Sequence, residues 1–350
     1  MGAHIVEGKS IAEGVYTELK REMPELIHQT GQRPVLVSVY VGSNSAIEVY
    51  IRSQHRIARA LGIEYRWYHL PDNADEREVL RRLHQLNNDP EVTGVILQLP
   101  LPPHLRRSVL VNAINPAKDV DGTHPENVGS VLIGEMRVGS CTALAVMRLL
   151  EATGTTMEGK EAVIVGHSEL VGKPVSLMLL DRLATVTICH IATAKRGLLA
   201  YYVRRAEILV VAVGSPEVLQ GEWVRPGAVV IDVGINQVGT RVIGDVEFAP
   251  AQERAAFITP VPGGVGPVTV SMLMQNTVKA FKAQVGSANE ELKMKERKSR
   301  KKDLFLTSPI FHFSLFILHY SQPGSSSSCT EICKGLPLRS TENETVSEGW

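Results

Sequence analysis

The chain is poor in cysteine and in aromatic residues, and it carries no excess charge. Four cysteines in 350 residues cannot staple a fold of this size, and Cys141, Cys189 and the late pair Cys329 and Cys333 form no disulfide framework. A reducing, cytoplasmic setting is therefore expected. Cys329-x-x-x-Cys333 has no second ligand pair near it, so no metal site is predicted. Lys plus Arg and Asp plus Glu number 37 each, which argues against a nucleic-acid partner held by bulk charge. The opening MGAHIVEGKS is too polar for a secretory signal. Residues 304–320 are apolar and aromatic, but Pro309, His312 and His319 interrupt them. They fall short of the ~20 apolar residues that span a bilayer, and no membrane partner is expected.

What is present is a regular alternation of strand-like and helix-like segments. At 350 residues, 44% of them hydrophobic, two domains are expected. Apolar positions Ile11, Val15, Leu19, Met23 and Leu26 recur at helical spacing over 9–28. Residues 34–41, 63–70 and 94–99 read as strands, with helices over 44–61 and 77–86 between them; Pro100, Pro102 and Pro103 stop the third strand. A helix over 141–153 opens a second half with the same rhythm: strands at 162–165, 185–190, 207–213 and 228–233, and helices at 174–183 and near 195–205. Such alternation implies parallel sheets with helices on both faces, an α/β fold. Ligands of these sheets bind beyond the carboxyl ends of the strands, so the loops at Gly166, His190, Gly214 and Gly234 are expected to line one crevice.

The stretch 162–180, AVIVGHSELVGKPVSLMLL, is the centre of that half. Strand, glycine loop and helix together present backbone N–H groups and a helix N-terminus to a phosphate. Its spacing, G-x-S-x-x-x-G, departs from the G-x-G-x-x-G of dinucleotide-binding loops. Residues 259–269, TPVPGGVGPVT, hold three prolines and three glycines in eleven residues, a loop shaped for close backbone approach, followed by a helix over 269–283. Lys293 to Lys302 is basic, and residues 321–350 are Ser-rich without period, so the chain from 285 is read as a disordered or extraneous tail.

Several stretches together resemble the bifunctional methylenetetrahydrofolate dehydrogenase/cyclohydrolase family. They are Val41-Gly42 with Tyr50, ILQLPLP at 96–102, KDVDG at 118–122, GHSELVGKP at 166–174, GAVVIDVGIN at 227–236, GDV at 244–246 and the TPVPGGVGPVT loop. The similarity runs in order to about residue 284. It implies two α/β domains flanking a cleft: 1–139 with a returning helix 269–284 for folate, and 140–268 as a Rossmann-like, doubly wound, mostly parallel sheet for NADP or NAD. It further implies a homodimer that oxidises 5,10-methylenetetrahydrofolate and opens the methenyl product to 10-formyltetrahydrofolate.

Residue by residue, the resemblance assigns Tyr50 to packing on the folate ring. It places Gln98 near the reacting carbon and Asp121 on the pterin's amide edge. Leu99 and Pro100 lie beside them, and Pro262, Gly263 and Gly264 wall the folate pocket. Gly166, His167, Ser168 and Gly172, with Ile191, Gly214, Gly234 and Ile235, are assigned to the cofactor. The other reading of Asp121 is an Asx turn capping its own loop.

The departures are specific. The family carries a lysine four residues after the tyrosine, on the same helical face; here that catalytic position is Gln54. Glutamine has neither a charge nor a proton to exchange near neutrality, so hydride transfer is expected to survive and water attack to suffer. His55 points about 140° from Tyr50 on a helix and does not replace it. Ile47 replaces a polar residue, and Ser140-Cys141-Thr142-Ala143 replaces a proline-flanked hinge. His167 and Ile191 replace the arginine and serine that hold the 2′-phosphate in NADP-using members, while no carboxylate ends the 185–190 strand; cofactor choice stays open. Two readings follow: an active dehydrogenase with weak or absent cyclohydrolase, or a catalytically silent paralogue that binds folate or nucleotide as a partner subunit.

Overall fold

A computed structural model describes residues 2–306. The 307–320 part of the apolar stretch, the Ser-rich segment and Cys329 and Cys333 lie outside the described residues. Met1–Asn289 form one compact unit. Among the described residues no helix is long and apolar enough to cross a membrane.

The chain begins with β1 (His4–Ile5) and α1 (Gly8–Thr30), whose buried face repeats at Ala12, Val15, Leu19 and Met23. Gly31 ends α1 at φ 65°, returning its N–H to Ile27, a conformation that only glycine takes without strain. β2 (Val35–Val41) is buried at every residue, as a run apolar on both faces must be. α2 (Ser45–Ala60) crosses to β3 (Glu64–Leu70), and α3 (Glu76–Asn88), capped by Asp75, crosses to β4 (Gly94–Leu97). The three strands form a parallel sheet in the order β3-β2-β4. α4 (Arg107–Asn112) and α5 (Pro125–Leu132) follow.

α6 (Cys141–Ala152) leads into β5 (Glu161–Val165), α7 (Gly172–Leu180) and β6 (Thr185–Cys189). The helix expected near 195–205 is two short ones, α8 (Ile191–Lys195) and α9 (Leu199–Val203), separated at Gly197 with φ 69°. β7 (Ile208–Val211) and β8 (Val229–Asp232) precede a small antiparallel hairpin, β9 (Asn236–Val238) and β10 (Arg241–Ile243). α10 (Phe248–Arg254) and β11 (Phe257–Ile258) close the second sheet. Its order is β1-β11-β8-β7-β5-β6, parallel throughout. The first strand of the chain thus joins the far sheet, pairing His4 with Phe257.

α11 (Val265–Leu306) starts earlier and ends later than the expected helix over 269–283. The segment from 285 to Leu306, read from sequence as disordered tail, is helical. It is rich in Lys and Glu and free of proline, so its intrinsic helix propensity is high. One apolar core joins Leu36 and Ile96 of the first sheet, Ile164 and Ile231 of the second, and Met272, Leu273 and Met274 of α11. The two sheets are therefore fixed on a shared set of helices, with their strand ends free to build a site.

Candidate active site

The first group of polar residues gathers at the end of the three-stranded sheet. Tyr50 and Gln54 sit one turn apart on α2, and Gln98 follows β4, where its N–H still donates to Val39. Gln54 is completely buried. Its Oε1 accepts from the Tyr65 hydroxyl at 2.7 Å and from Gln98 Nε2 at 3.0 Å. Gln98 Nε2 also donates to Ser38 Oγ at 2.9 Å. This orients the Gln54 amide: the oxygen is used twice, and Nε2 is buried with no hydrogen bond of ordinary geometry among the described residues, the Tyr50 hydroxyl being the group it acts on. Ser38 and Tyr65 were missed from sequence. For Ser38 the available signal is the one small polar residue in the apolar run VLVSVYV. His55 turns instead toward the Tyr65 and Trp67 rings, at 5.7 and 5.4 Å, and Ile47 is buried in the core.

Asp121 lies in the loop before α5. Burial, with Asp119 adding repulsion, pushes its carboxyl up to about 6, against a bond from the Cys141 thiol and the nearby Arg107 charge. The Asx-turn role belongs to Asp119. That carboxylate accepts from the Gly122 and His124 N–H groups and from Asn127 Nδ2. Asn276 of α11 donates to Val120 and Gly139 carbonyls and to Cys141 Sγ, so the returning helix holds the loop in place. Burial, then Cys141, then Asp121 raise the Tyr50 phenol well above its usual range, while Gln54 opposes the shift; the tyrosine therefore lies within the field of the other site residues. Leu99 is half-buried and Pro100 exposed. Pro262 and Gly263 are exposed, whereas Gly264 is packed so tightly on Gly8 that a side chain at Gly8 would meet its carbonyl.

A second group surrounds a cavity of about 660 Å³ beyond the ends of β5, β6 and β7. Gly166, His167, Ser168, His190 and Ile191 line it, as do Lys173 and Glu169. Gly166 has φ 122° and would strike the Ala212 carbonyl with any side chain; a side chain on Gly172 would strike Gly166. The loop is therefore closed on itself, and Gly172 supports it from beneath rather than lining the cavity. The His167 and His190 rings lie 5.4 Å apart. His190 Nδ1 accepts from Ala192 N–H and caps α8. Of the remaining residues assigned to the cofactor, Gly214 is exposed beside the lining residues Val213 and Ser215, while Gly234 is buried and Ile235 exposed, both away from the cavity wall.

Two carboxylates not singled out from sequence shape these loops. Asp245 accepts from three successive N–H groups, Val213, Gly214 and Ser215, and from Asn236 Nδ2. Asp232 accepts from Gly234, Asp245 and Val246, and burial raises it to about 6. A side chain at Gly234 would hit Asp245, and one at Gly244 would hit Asp232, which accounts for both glycines. The GDV and IDVG segments carried this signal. Arg107, from α4, also reaches the cavity wall and pairs with Glu169.

Residues 6–121 match the model of the tetrahydrofolate dehydrogenase/cyclohydrolase catalytic domain, and residues 140–285 that of the NAD(P)-binding domain of the same family. The chain is 48% identical over 288 residues to the bifunctional protein FolD 2 of Geobacter sulfurreducens, covering 82% of this chain and 99% of that protein. It is 47% identical over 281 residues to the bifunctional protein FolD of Moorella thermoacetica, covering 80% and 99%. Among solved structures it resembles the Trypanosoma brucei methylenetetrahydrofolate dehydrogenase-cyclohydrolase complexed with NADP and inhibitor, at TM-score 0.79 and 39% identity over 81% of this chain and 99% of that one. The NAD-dependent methylenetetrahydrofolate dehydrogenase of Saccharomyces cerevisiae shares the fold, at TM-score 0.68 and 20% identity over 81% and 98%.

Proposed function

Since the chain belongs to the tetrahydrofolate dehydrogenase/cyclohydrolase family, we propose that it oxidises 5,10-methylenetetrahydrofolate to the methenyl form with NAD(P) and hydrolyses that product poorly. The observation that carries this reading is the state of Gln54. Its amide is dry, its oxygen is committed to Tyr65 and Gln98, and it has no proton to exchange. Hydride transfer asks the protein mainly to align two carbons. Hydrolysis asks for proton handling at the attacking water, a contribution of about 10²–10⁴-fold when a general acid–base is present.

Folate is assigned to residues 1–139 with the first part of α11, and the cofactor to 140–268. Tyr50 would pack on the pterin ring, Asp121 would accept from its amide edge when ionised, and Gln98 would sit by the reacting carbon. The cavity at the ends of β5 and β6 fits a dinucleotide in size, in its glycine-built rim and in its basic lining of His167, His190, Lys173 and Arg107. When bound, NAD(P) supplies the hydride acceptor. The 166–172 loop and α7 would hold its phosphates, and Asp245 would keep the 213–215 backbone in shape beneath it. Self-association belongs to the same reading. β6 is a sheet edge, with Leu180, Leu183 and Ile188 exposed around it, which supports a homodimer.

The test follows reduced-nicotinamide absorbance with methylenetetrahydrofolate and either NAD or NADP. Turnover with one of them is the expected result. Folate binding without turnover on either would support the silent-paralogue reading instead.

A further inference from the structure

We propose that Arg107 is a phosphate ligand for the cofactor, delivered to the cavity from the folate side, and that Glu169 is its resting partner. The inference rests on reading that cavity as a nucleotide site. Arg107 opens α4, only a few residues beyond the QLPLP segment, yet its side chain forms part of the cavity wall. Among the described residues its guanidinium makes a single hydrogen bond, from Nη1 to Glu169 Oε2, at a long 3.4 Å. Its Nε is buried and has no partner.

A guanidinium presents Nε and a neighbouring Nη as a two-donor edge matched to two oxygens of one phosphate. Here that edge is half withdrawn from water and unmet. A charged donor left so is costly unless something else takes it up. Glu169 cannot be that group in its present position, since it meets the other side of the fork with one oxygen. Its side chain is 71% exposed, and an ion pair of this kind is weak and readily exchanged. The remaining charged and titratable walls, Lys173, His167 and His190, favour an anion; among the described lining residues Glu169 is the one carboxylate, and Asp121, outside the lining, feels Arg107 only through its field. A diphosphate entering the cavity therefore gains Arg107 at the small cost of releasing Glu169.

The experiment measures calorimetric dissociation constants of ADP, adenosine and NAD for the full chain and for R107L, R107K and E169Q, with thermal unfolding of each variant alongside. R107L is expected to weaken ADP and NAD by about 10- to 100-fold, the scale of one charged hydrogen-bonding group, and to leave adenosine within about twofold. R107K should recover part of the loss, because an ammonium restores charge without the fork; it also serves if R107L does not fold. E169Q should bind ADP as well as the parent chain or up to about fivefold tighter. ADP binding that ignores R107L, or that E169Q weakens as much as R107L does, overturns the proposal while leaving the nucleotide reading in place. A parent chain that binds none of the three probes overturns the nucleotide reading and, with it, the role of Arg107.

Discussion

The two sides of the site treat their buried polar groups in opposite ways. Around the cavity of the NAD(P)-binding domain, Asp245 accepts from the backbone N–H groups of 213–215 and Asp232 from those of Gly234, Asp245 and Val246, and little of their capacity is left for a ligand. On the side proposed for folate, Asp121 draws no backbone donor among the described residues and is pushed toward its neutral form, and Gln54 Nε2 is buried with no hydrogen bond of ordinary geometry among those residues. The contrast recurs within one loop, where Asp119 is saturated and Asp121, two residues on, is not. Saturated carboxylates shape backbone. Unsaturated groups, kept at a desolvation cost, are the ones a substrate can complete.

The largest expected effect breaks this contrast at Gln54. Replacing Gln54 with Lys puts a titratable group where burial tunes it downward, and methenyltetrahydrofolate hydrolysis should rise by about 10²–10⁴-fold. An unchanged rate would remove the account of that position. Next, Asp121→Asn should lower kcat/KM for the folate by about 10- to 100-fold with the unfolding midpoint nearly unmoved; steady-state kinetics with thermal denaturation check both halves. Asp119→Ala should do the reverse, costing roughly 3 kcal/mol of stability because its backbone donors lose their acceptor. Equal stability losses at 119 and 121 would erase the distinction. The smallest effect is the pH response. The Asp121 carboxyl is raised to about 6 in the folded chain, above its unfolded value near 4. The folded state thus holds the proton longer, and this group costs stability increasingly as pH rises from about 4 through 6. Folate binding to the ionised form should strengthen over the same window, with KM falling toward pH 7 in the parent chain and flat in Asp121→Asn.

Much of the fold was legible because buried strands such as 35–41 and 208–211 are unbroken apolar runs with glycine or proline at their ends. β1 and β11 were not, since two residues carry no period and their pairing joins His4 to the distant Phe257. α5 was hidden by its start: His124 is an unusual cap, though Pro125 at the first position was a fair clue. Tyr50, Gln54, Gln98 and Asp121 do converge, through hydrogen bonds and mutual fields. The division of labour inside KDVDG was not readable, because Asp119 and Asp121 are the same residue in the same motif and differ only in which N–H groups the loop turns toward them. Arg107 carries no signal in the sequence: it follows another arginine at the start of a six-residue helix, and only the folded chain brings it to the far cavity.

The most direct measurement supplies the parent chain with methylenetetrahydrofolate and the oxidised cofactor and follows reduced nicotinamide and the methenyl product together. Both are predicted to accumulate nearly in step, with methenyltetrahydrofolate lost far more slowly than it forms. Enzyme-dependent loss of the methenyl product at a rate matching its formation would contradict the role given to Gln54.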